Sequence, residues 1–455
     1  MTSSLGVRAV GAGQVGAGPG SVAAARGSAL VVRRWLAGFG VVLLAPLVAR
    51  LLFGGPAPLW ATLTDLTGLF ALSAMICTFV LVCRLRALSR AAGITAMIAA
   101  HRGMGVLAAG SVVLHIAVVI AADLANLSLL TWVYAPPRAR AATAATVALA
   151  GVIALGVLRK RVRQDYELWR WAHVALSVAA VALSALHVQL VGQLARHPVL
   201  RWVLVALAVV LAAALAHRLW AAQRSSEHVV REVCHDSDTV CTLVLDPRGA
   251  PLRFAPGQFA WLRLARSGGE EHPFTIASSA SGGGCAFTVR STGDFGTLLR
   301  NLPHGAPVWV DGPYGSCSVD LIPQPASGVA MIAAGVGITP MLSMMRTLAD
   351  RHDPRPLLLV RAAREPHELL FRTELARLKQ RLDLTVVEVL RHPPPGWTGA
   401  AGDVATPLLR SVLPRRGQRS ALDYFVCGPP GFVNGVARSL LGLGVPEHRI
   451  HIEQF

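Results

Sequence analysis

The first half of the chain is dominated by long apolar runs that short polar segments separate. Each run is long enough to cross the hydrocarbon core of a bilayer, which takes about 20 residues of helix. The pattern therefore predicts six membrane-spanning helices before residue 222. Their expected bounds are 31–53, 62–83, 97–122, 141–158, 171–192 and 199–220.

The second half has a different pattern, in which short apolar and polar stretches alternate between Gly and Pro residues. Short strands at this spacing are typical of a small antiparallel barrel. The expected strands are 227–234, 238–246, 257–264, 272–278, 285–290 and 306–311. After about residue 327, strands alternate with helical patterns, which predicts a parallel α/β layer.

These patterns predict a multi-domain protein. Residues 1–27 are rich in Gly, Ala and Ser without periodicity, so we expect them to be disordered. A six-helix transmembrane bundle is expected over 28–222, an antiparallel β-barrel over 223–322 and a parallel α/β domain over 323–455.

Basic residues in the loops predict how the spans are oriented. The loops after the second and fourth spans are the richest in Arg and Lys, whereas the loops after the odd-numbered spans are poorer. By the positive-inside rule both termini are cytoplasmic, in a multi-pass protein of the plasma (inner) membrane. The basic residues of the two rich loops are Arg84, Arg86, Arg90, Arg159, Lys160, Arg161 and Arg163.

Composition excludes several classes of protein. A hydrophobic content of 53% is too high for a wholly soluble chain of 455 residues. The net charge of +18 comes almost entirely from arginine, and no basic stripe with interleaved aromatic residues suggests nucleic-acid binding. The seven cysteines contain no CxxC, which argues against a disulfide framework, structural zinc or a cysteine-ligated iron–sulfur cluster.

Four histidines stand inside the apolar runs as two pairs, His101 with His115 and His173 with His187. The members of each pair are fourteen residues apart, about 21 Å along a helix, and they share one face. Two such helices side by side would place two imidazole pairs at two depths, which suits axial ligation of two haem irons. The other interpretation is four core histidines that bond neighbouring backbone groups. His101 and His173 are the expected inner pair, and His115 and His187 the outer pair.

A first cluster of motifs in the second half has the chemistry of a flavin site. In the segment His272-Pro273-Phe274-Thr275-Ile276, Thr275 offers a hydroxyl to ring nitrogens and Phe274 an apolar wall. Arg290 and the amides of a helix that starts near Thr297 are suited to a pyrophosphate. Taken alone, each of these two segments is explained equally well as an ordinary strand pair and turn without a ligand.

A second cluster has the chemistry of a dinucleotide site. Gly335-Val336-Gly337-Ile338-Thr339-Pro340 joins a buried strand to a helix, where glycine lets the backbone approach a phosphate. Cys427-Gly428-Pro429-Pro430 ends another strand at the edge where parallel sheets bind ligands. Arg361 and Arg364 are either contacts to a ribose phosphate or solvated charges.

Taken together, these motifs resemble a known family. The first half resembles the transmembrane domain of ferric reductases and NADPH oxidases through His101-Arg102-Gly103-Met104-Gly105 and Trp169-Arg170-Trp171-Ala172-His173. The second half resembles the ferredoxin–NADP reductase superfamily, because HPFTxxS, RxxGDxxT, GxGxTP and CGPP occur in that order. The similarity covers about residues 30–455.

The resemblance implies FAD, two b-type haems and NADPH or NADH as cofactors, and it assigns roles to residues. The residues implied to contact the flavin are His272, Pro273, Phe274, Thr275 and Ser278, and those implied to hold FAD are Arg290, Gly293 and Thr297. The dinucleotide is implied to bind at Gly335, Gly337, Thr339 and Pro340, with Cys427, Gly428, Pro429 and Pro430 beside the nicotinamide. Phe455 would cover the isoalloxazine ring, which makes Thr275, Cys427 and Phe455 the candidate catalytic residues.

The hypothesis that follows is an enzyme of the lipid bilayer that carries electrons from NAD(P)H through FAD and two haems. The acceptor at the outer face is a small molecule, and a ferric chelate is favoured. The alternative is oxygen, which would be reduced to superoxide as in the NADPH oxidases. A haem subunit that feeds electrons to a periplasmic partner protein is a further alternative. The sequence does not indicate the oligomeric state.

Overall fold

The computed structural model describes residues 19–158, 166–192, 197–266, 269–291, 293–322 and 324–454. The chain forms two compact units. The first, the helical unit, comprises Val31–Leu88 and Ala96–Ala221. The second, the reductase unit, comprises Ala222–Phe455 together with Ser89–Thr95 and the residues up to Leu30.

Seven helices occupy the described part of the chain up to residue 223, and six of them contain a stretch long and apolar enough to span a membrane. They are α1 (Pro19–Phe53), α2 (Leu59–Val82), α3 (Arg86–Ala92), α4 (Ile94–Ala122), α5 (Pro137–Leu158), α6 (Tyr166–Val191) and α7 (Pro198–Gln223). The candidate spans are Leu30–Phe53, Leu59–Val82, Ala96–Ala122, Pro137–Leu158, Leu168–Val191 and Pro198–Ala221. The prediction of six apolar helices is confirmed.

Small residues allow α5 and α6 to pack closely. The α5 residues Ala139, Ala141, Ala145 and Ala148 are buried. A Cβ at Gly151 would lie 3.0 Å from Leu176 Cδ1 on α6. In lipid, helix association depends on such close packing, because apolar side chains gain little by leaving the hydrocarbon.

The N-terminal boundary differs from the sequence prediction. Helix α1 begins at Pro19, so the prediction of disorder is corrected for residues 19–27. Proline suits the first helical turn, and the alanines at 23–25 favour a helix that the apolar span then continues. Residues 1–18 lie outside the described residues.

The first half of the reductase unit is a six-stranded antiparallel sheet with strand order β4-β3-β6-β1-β2-β5. Its strands are β1 (Ser226–Ser237), β2 (Val240–Pro247), β3 (Phe259–Arg263), β4 (Glu271–Thr275), β5 (Cys285–Arg290) and β6 (Pro307–Tyr314). A bridge between Ile276 and Phe287 brings the two edge strands together, so the sheet curls around one apolar core. Helix α8 (Asp294–Arg300) follows β5 and contributes Phe295 and Leu299 to this core.

The second half is a six-stranded parallel sheet with strand order β10-β9-β8-β7-β11-β12. Its strands are β7 (Gly328–Ala334), β8 (Leu357–Ala363), β9 (Leu384–Leu390), β10 (Ala400–Ala401), β11 (Leu422–Gly428) and β12 (Ile450–Gln454). Its helices are α9 (Thr339–Asp350), α10 (Arg372–Lys379), α11 (Thr406–Val412) and α12 (Pro430–Gly442). Successive strands run outward from β7 on one side as far as β10, and β11 then starts on the other side. The strand order therefore reverses between β7 and β11.

One face of α9 holds the loop that follows β4. Ser343 Oγ donates to the Ser278 carbonyl at 2.8 Å, and Arg346 Nη1 donates to the Ala277 carbonyl at 2.7 Å. Thr347 Oγ1 accepts from the Ala280 amide at 2.9 Å. These three side chains are one helical turn apart or less, so a single helix face links the two sheets of the reductase unit.

Candidate functional site

The four histidines form two facing pairs in the helical unit. The ring centroids of His101 (α4) and His173 (α6) are 6.5 Å apart, and those of His115 and His187 on the same two helices are 6.4 Å apart. Two imidazoles that bind one metal from opposite sides, each through a nitrogen at about 2 Å, have centroids about 6 Å apart. Both pairs therefore fit a metal ion between them.

Backbone carbonyls orient the rings of His101, His115 and His187. His101 Nδ1 donates to the Thr78 carbonyl at 3.2 Å, and His115 Nδ1 donates to the Thr64 carbonyl at 3.0 Å. His187 Nδ1 donates to the Arg138 carbonyl at 2.8 Å. A carbonyl oxygen only accepts, so Nδ1 carries the proton and Nε2 keeps its lone pair for a metal.

Helix α2 supplies two of these carbonyls at a matching spacing. Thr64 and Thr78 are fourteen residues apart (78 − 64 = 14), the same separation as His101 and His115 on α4. The backbone of α2 therefore positions both α4 histidines in the same way. On α6, the indole of Trp169 stacks on His173 at a centroid distance of 5.3 Å.

A cavity of about 370 Å³ lies beside the His115–His187 pair. Its lining is mainly aliphatic, with Asp65, Asn126 and Arg138 among the few polar side chains. A Cβ at Gly68 would lie 3.1 Å from His115 Cε1, so only glycine leaves this ring its full space. A mostly apolar cavity that two imidazoles enter from different helices fits a haem.

A largely buried ion pair next to this cavity was not predicted from the sequence. Arg50 Nε at the end of α1 lies 2.7 Å from Asp65 Oδ2 on α2. The hydropathy pattern hid both residues, because single charges near span ends resemble ordinary interfacial residues.

In the reductase unit, a cavity of about 850 Å³ lies at the carboxyl edge of the parallel sheet. The loops after β7, β8, β9 and β11 all line it, so it lies where the strand order reverses. Open α/β sheets bind dinucleotides at this position. Four arginines line the cavity together with the acidic residues Glu368 and Asp403: Arg290, Arg364, Arg391 and Arg438.

The glycine-rich turn after β7 contributes to this cavity only in part. Gly335, Val336 and Gly337 line it, and Gly335 has a φ of +56° that favours glycine. Thr339 and Pro340 are buried behind the turn, where Thr339 Oγ1 donates to the Val336 carbonyl at 2.9 Å. Direct contact of these two residues with a dinucleotide stays a prediction.

The two arginines after β8 have different environments. Arg361 is buried and pairs with Glu388, whose other oxygen lies 2.9 Å from Arg372. Arg364 is exposed and lines the cavity. Of these two arginines, Arg364 reaches the cavity and Arg361 does not, and contact with a ribose phosphate stays a prediction.

Gly428 and Pro429 line the same cavity, but Cys427 is fully buried among apolar residues. Burial raises the pKa of the Cys427 thiol well above its usual range. The thiol is therefore neutral near pH 7, and a thiolate nucleophile is not expected. Pro430 is exposed at the start of α12.

The predicted flavin residues lie on β4 and the loop that follows it. The rings of Phe274 and Phe295 stack at 6.2 Å, and His272 lies 4.5 Å from Phe295. Thr275 is buried, and Ser278 Oγ bonds within the β4–β5 connection to Gly284 and Ala286. The half-buried Phe274 and exposed Pro273 offer an apolar wall suited to a planar ring.

Arg290 connects the two motif clusters. It is exposed at the end of β5 and lines the cavity of about 850 Å³, and a Cβ at Gly335 would lie 3.2 Å from its Nη2. Gly293 precedes α8, and Thr297 Oγ1 donates to the Gly293 carbonyl at 3.1 Å. A guanidinium is chemically suited to a pyrophosphate, and this role of Arg290 stays a prediction. Phe455 lies outside the described residues, as do Arg159, Lys160, Arg161 and Arg163.

Three family models match the chain in sequence order. The ferric reductase like transmembrane component matches residues 67–184, an FAD-binding domain matches 232–318, and an oxidoreductase NAD-binding domain matches 331–438. The chain has the domain architecture of the ferric reductase and NADPH oxidase family. The transmembrane match includes three of the four paired histidines, and His187 lies just beyond it.

Curated relatives match about half of this chain. The reductase subunit of stachydrine N-demethylase from Rhizobium meliloti is 32% identical over 217 residues, which are 46% of this chain and 60% of the relative. A flavohemoprotein from Deinococcus radiodurans is 31% identical over 243 residues, 50% of this chain and 58% of the relative. The chain thus spans less than two thirds of these relatives.

Two solved structures are also similar to the chain. The FAD/NAD-binding domain of nitric oxide dioxygenase from Vibrio cholerae is 27% identical, with a TM-score of 0.46 over 51% of this chain and 98% of that one. A flavohemoglobin from Malassezia yamatoensis is 18% identical, with a TM-score of 0.49 over 87% of this chain and 96% of that one.

Proposed function

We propose that this protein is a transmembrane oxidoreductase that passes electrons from cytosolic NAD(P)H through FAD and two b-type haems. The acceptor is reduced at the opposite face of the membrane. The strongest support comes from the four histidines. The ring centroids are 6.5 Å apart for His101 and His173 and 6.4 Å apart for His115 and His187, and the two histidines on each helix are fourteen residues apart.

The proposed ligand sets follow from that geometry. His101 and His173 hold one haem, and His115 and His187 hold the other. Arg290 and the wall of Phe274 hold FAD, while Gly335, Gly337 and Arg364 hold the dinucleotide. When bound, the flavin would accept the two electrons of a hydride and each haem would carry one electron at a time.

The protein's own contribution is orientation and exclusion of water. The carbonyls of Thr78, Thr64 and Arg138 keep the Nδ1 proton on the imidazoles of His101, His115 and His187 and so leave Nε2 with its lone pair for a metal. His101 with His173 and His115 with His187 would occupy both free positions of each haem iron, so the acceptor would be reduced by outer-sphere transfer.

A ferric chelate is the proposed acceptor, and oxygen is the alternative. By the positive-inside rule, Arg138, Arg140 and Arg201 lie on the outer side, where positive charge attracts an anionic chelate. The curated relatives named as reductase subunits suggest a third acceptor, a partner protein. If the purified protein alone reduces ferric citrate, no partner protein is required.

A reduced-minus-oxidised optical spectrum with pyridine haemochrome quantitation tests the proposal. We expect two b-type haems per chain in the wild type and one in the His115→Ala and His101→Ala variants. Flavin reduction by NAD(P)H should persist in both variants. A full two-haem spectrum in His115→Ala would show that the ligand assignment is wrong.

Turnover assays then separate the acceptors. NAD(P)H oxidation is measured aerobically with cytochrome c as reporter, with and without superoxide dismutase, and anaerobically with ferric citrate. Anaerobic ferric citrate reduction, together with no dismutase-sensitive reduction of cytochrome c in air, supports the ferric reductase. Dismutase-sensitive reporter reduction without ferric citrate turnover would identify an oxidase.

A further inference from the structure

The Arg50–Asp65 pair lies on one side of the His115–His187 cavity and points its negative end inward. Asp65 lines the cavity and Arg50 does not, although the two side chains are only 2.7 Å apart. Both are shielded within the helical unit, with exposed fractions of 6% for Arg50 and 16% for Asp65. Arg50 Nη1 also donates to the Gly55 carbonyl at 3.5 Å.

Helix α2 brings the Asp65 carboxylate close to His115. A Cβ at Gly68 would lie 3.1 Å from His115 Cε1, and Asp65 is three residues before Gly68 on the same helix face. The neighbouring Thr64 carbonyl and Thr67 Oγ1 lie 3.0 and 3.2 Å from His115 Nδ1. One turn of α2 therefore presents a hydrogen-bond acceptor and a negative charge to the same imidazole.

A charge pair at this position is costly unless it has a use. Burying two charges costs several kcal/mol per ion, and an apolar pair of similar volume is often at least as stable. Ionisable residues within spans are by default candidates for function. Joining the ends of α1 and α2 would be a purely structural use, and it predicts no effect on a haem beyond its retention.

We propose that Asp65, held by Arg50, lowers the reduction potential of the haem at the His115–His187 pair. This rests on the proposed function, because it requires a haem there. The oxidised haem carries one more positive charge than the reduced haem, and a nearby carboxylate in a medium of low dielectric stabilises the more positive state. Arg50 is on the far side of the carboxylate, so it weakens this effect without cancelling it. A lower potential makes this haem a stronger reductant for the acceptor.

Spectroelectrochemical titration of the purified, full-length protein tests the proposal. The His115→Ala variant identifies this haem, because its wave disappears there. In Asp65→Asn we expect the potential of this haem to rise enough to change its reduction equilibrium at least tenfold, which is 59 mV for one electron. The wave of the His101–His173 haem should not move.

The double variant Arg50→Gln/Asp65→Asn distinguishes charge from structural damage. It removes both charges, whereas Asp65→Asn leaves the arginine cation unopposed. An electrostatic effect therefore gives the order wild type, double variant, Asp65→Asn from lowest to highest potential. Structural disturbance gives an equal or larger change in the double variant. Asp123→Asn, at the exposed end of α4, is the matched control and should leave both waves unchanged.

The outcomes for the two proposals are distinct. Two haems with unchanged potentials in Asp65→Asn, or a double variant that shifts as much as the single one, would overturn this inference and leave the proposed function standing. Absence of a second haem from the wild-type protein would overturn the proposed function itself.

Discussion

Gly337 lies so close to Cys427 that a Cβ on the glycine would be 2.5 Å from the Cys427 carbonyl oxygen. The same Cβ would be 2.9 Å from the Gly428 amide nitrogen. The turn after β7 therefore packs directly on the last peptide of β11. This contact joins the two dinucleotide motifs at the place where the strand order reverses.

Gly337→Ala is expected to separate that turn from β11. Because the contact is with backbone, neither side can move cheaply, and a loss of about 1–3 kcal/mol in the free energy of unfolding is typical of such overpacking. The affinity for NAD(P)H should fall at the same time. Titration of the dinucleotide and thermal unfolding check both, with Gly442→Ala, which meets no neighbour, as the control. Unchanged affinity would show that the turn does not form the dinucleotide site.

A second prediction concerns Gly68 and His115. Gly68→Val places a branched side chain where even a Cβ would be 3.1 Å from His115 Cε1, so the ring must turn away. We expect the haem content to fall from two to one per chain while flavin reduction persists. Pyridine haemochrome quantitation measures this. Gly110→Ala on α4 has open space around it and should retain both haems.

A third prediction separates Arg364 from Arg361. Arg364→Gln removes an exposed cation from the cavity lining, so KM for the dinucleotide should rise with little change in thermal stability. Arg361→Gln leaves Glu388 with only one of its two cations and should cost about 3 kcal/mol of stability. Steady-state kinetics and thermal unfolding should show opposite patterns in the two variants. The reverse pattern would place the ribose phosphate at Arg361.

The hydrophobic periodicity predicted the membrane spans and most of the strands. Each apolar stretch faces mainly one environment, either lipid or the core of a sheet, so its pattern is regular. The short strands β10 and β12 and the helix α11 were not predicted. Strand β12 has the sequence Ile-His-Ile-Glu-Gln, and it forms only because β11 offers a parallel edge for it to pair with. Such a strand depends on its neighbour more than on its own propensity.

For the candidate sites, sequence spacing located the histidine pairs and the glycine turns but not their surroundings. The fourteen-residue match between Thr64 and Thr78 involves backbone carbonyls, which no side-chain pattern reveals. The Arg50–Asp65 pair needs the packing of α1 on α2. Likewise, the different environments of Arg361 and Arg364 depend on Glu388, which is distant in the sequence.

The last prediction concerns Glu453 in β12. Its side chain is buried, and burial raises the pKa of its carboxyl from 4.5 to about 7. The folded state therefore holds this proton more tightly than the unfolded state. The resulting stability is fully present below pH 4.5 and is lost as the pH rises to 7, a change of about 3 kcal/mol.

Glu453→Gln lacks this dependence, so the wild type should lose stability relative to the variant across that range. Thermal unfolding from pH 5 to 8.5, followed by tryptophan fluorescence, measures the difference, with the exposed Glu447→Gln as the control. Parallel curves for wild type and Glu453→Gln would mean that Glu453 is ionised in the folded protein throughout.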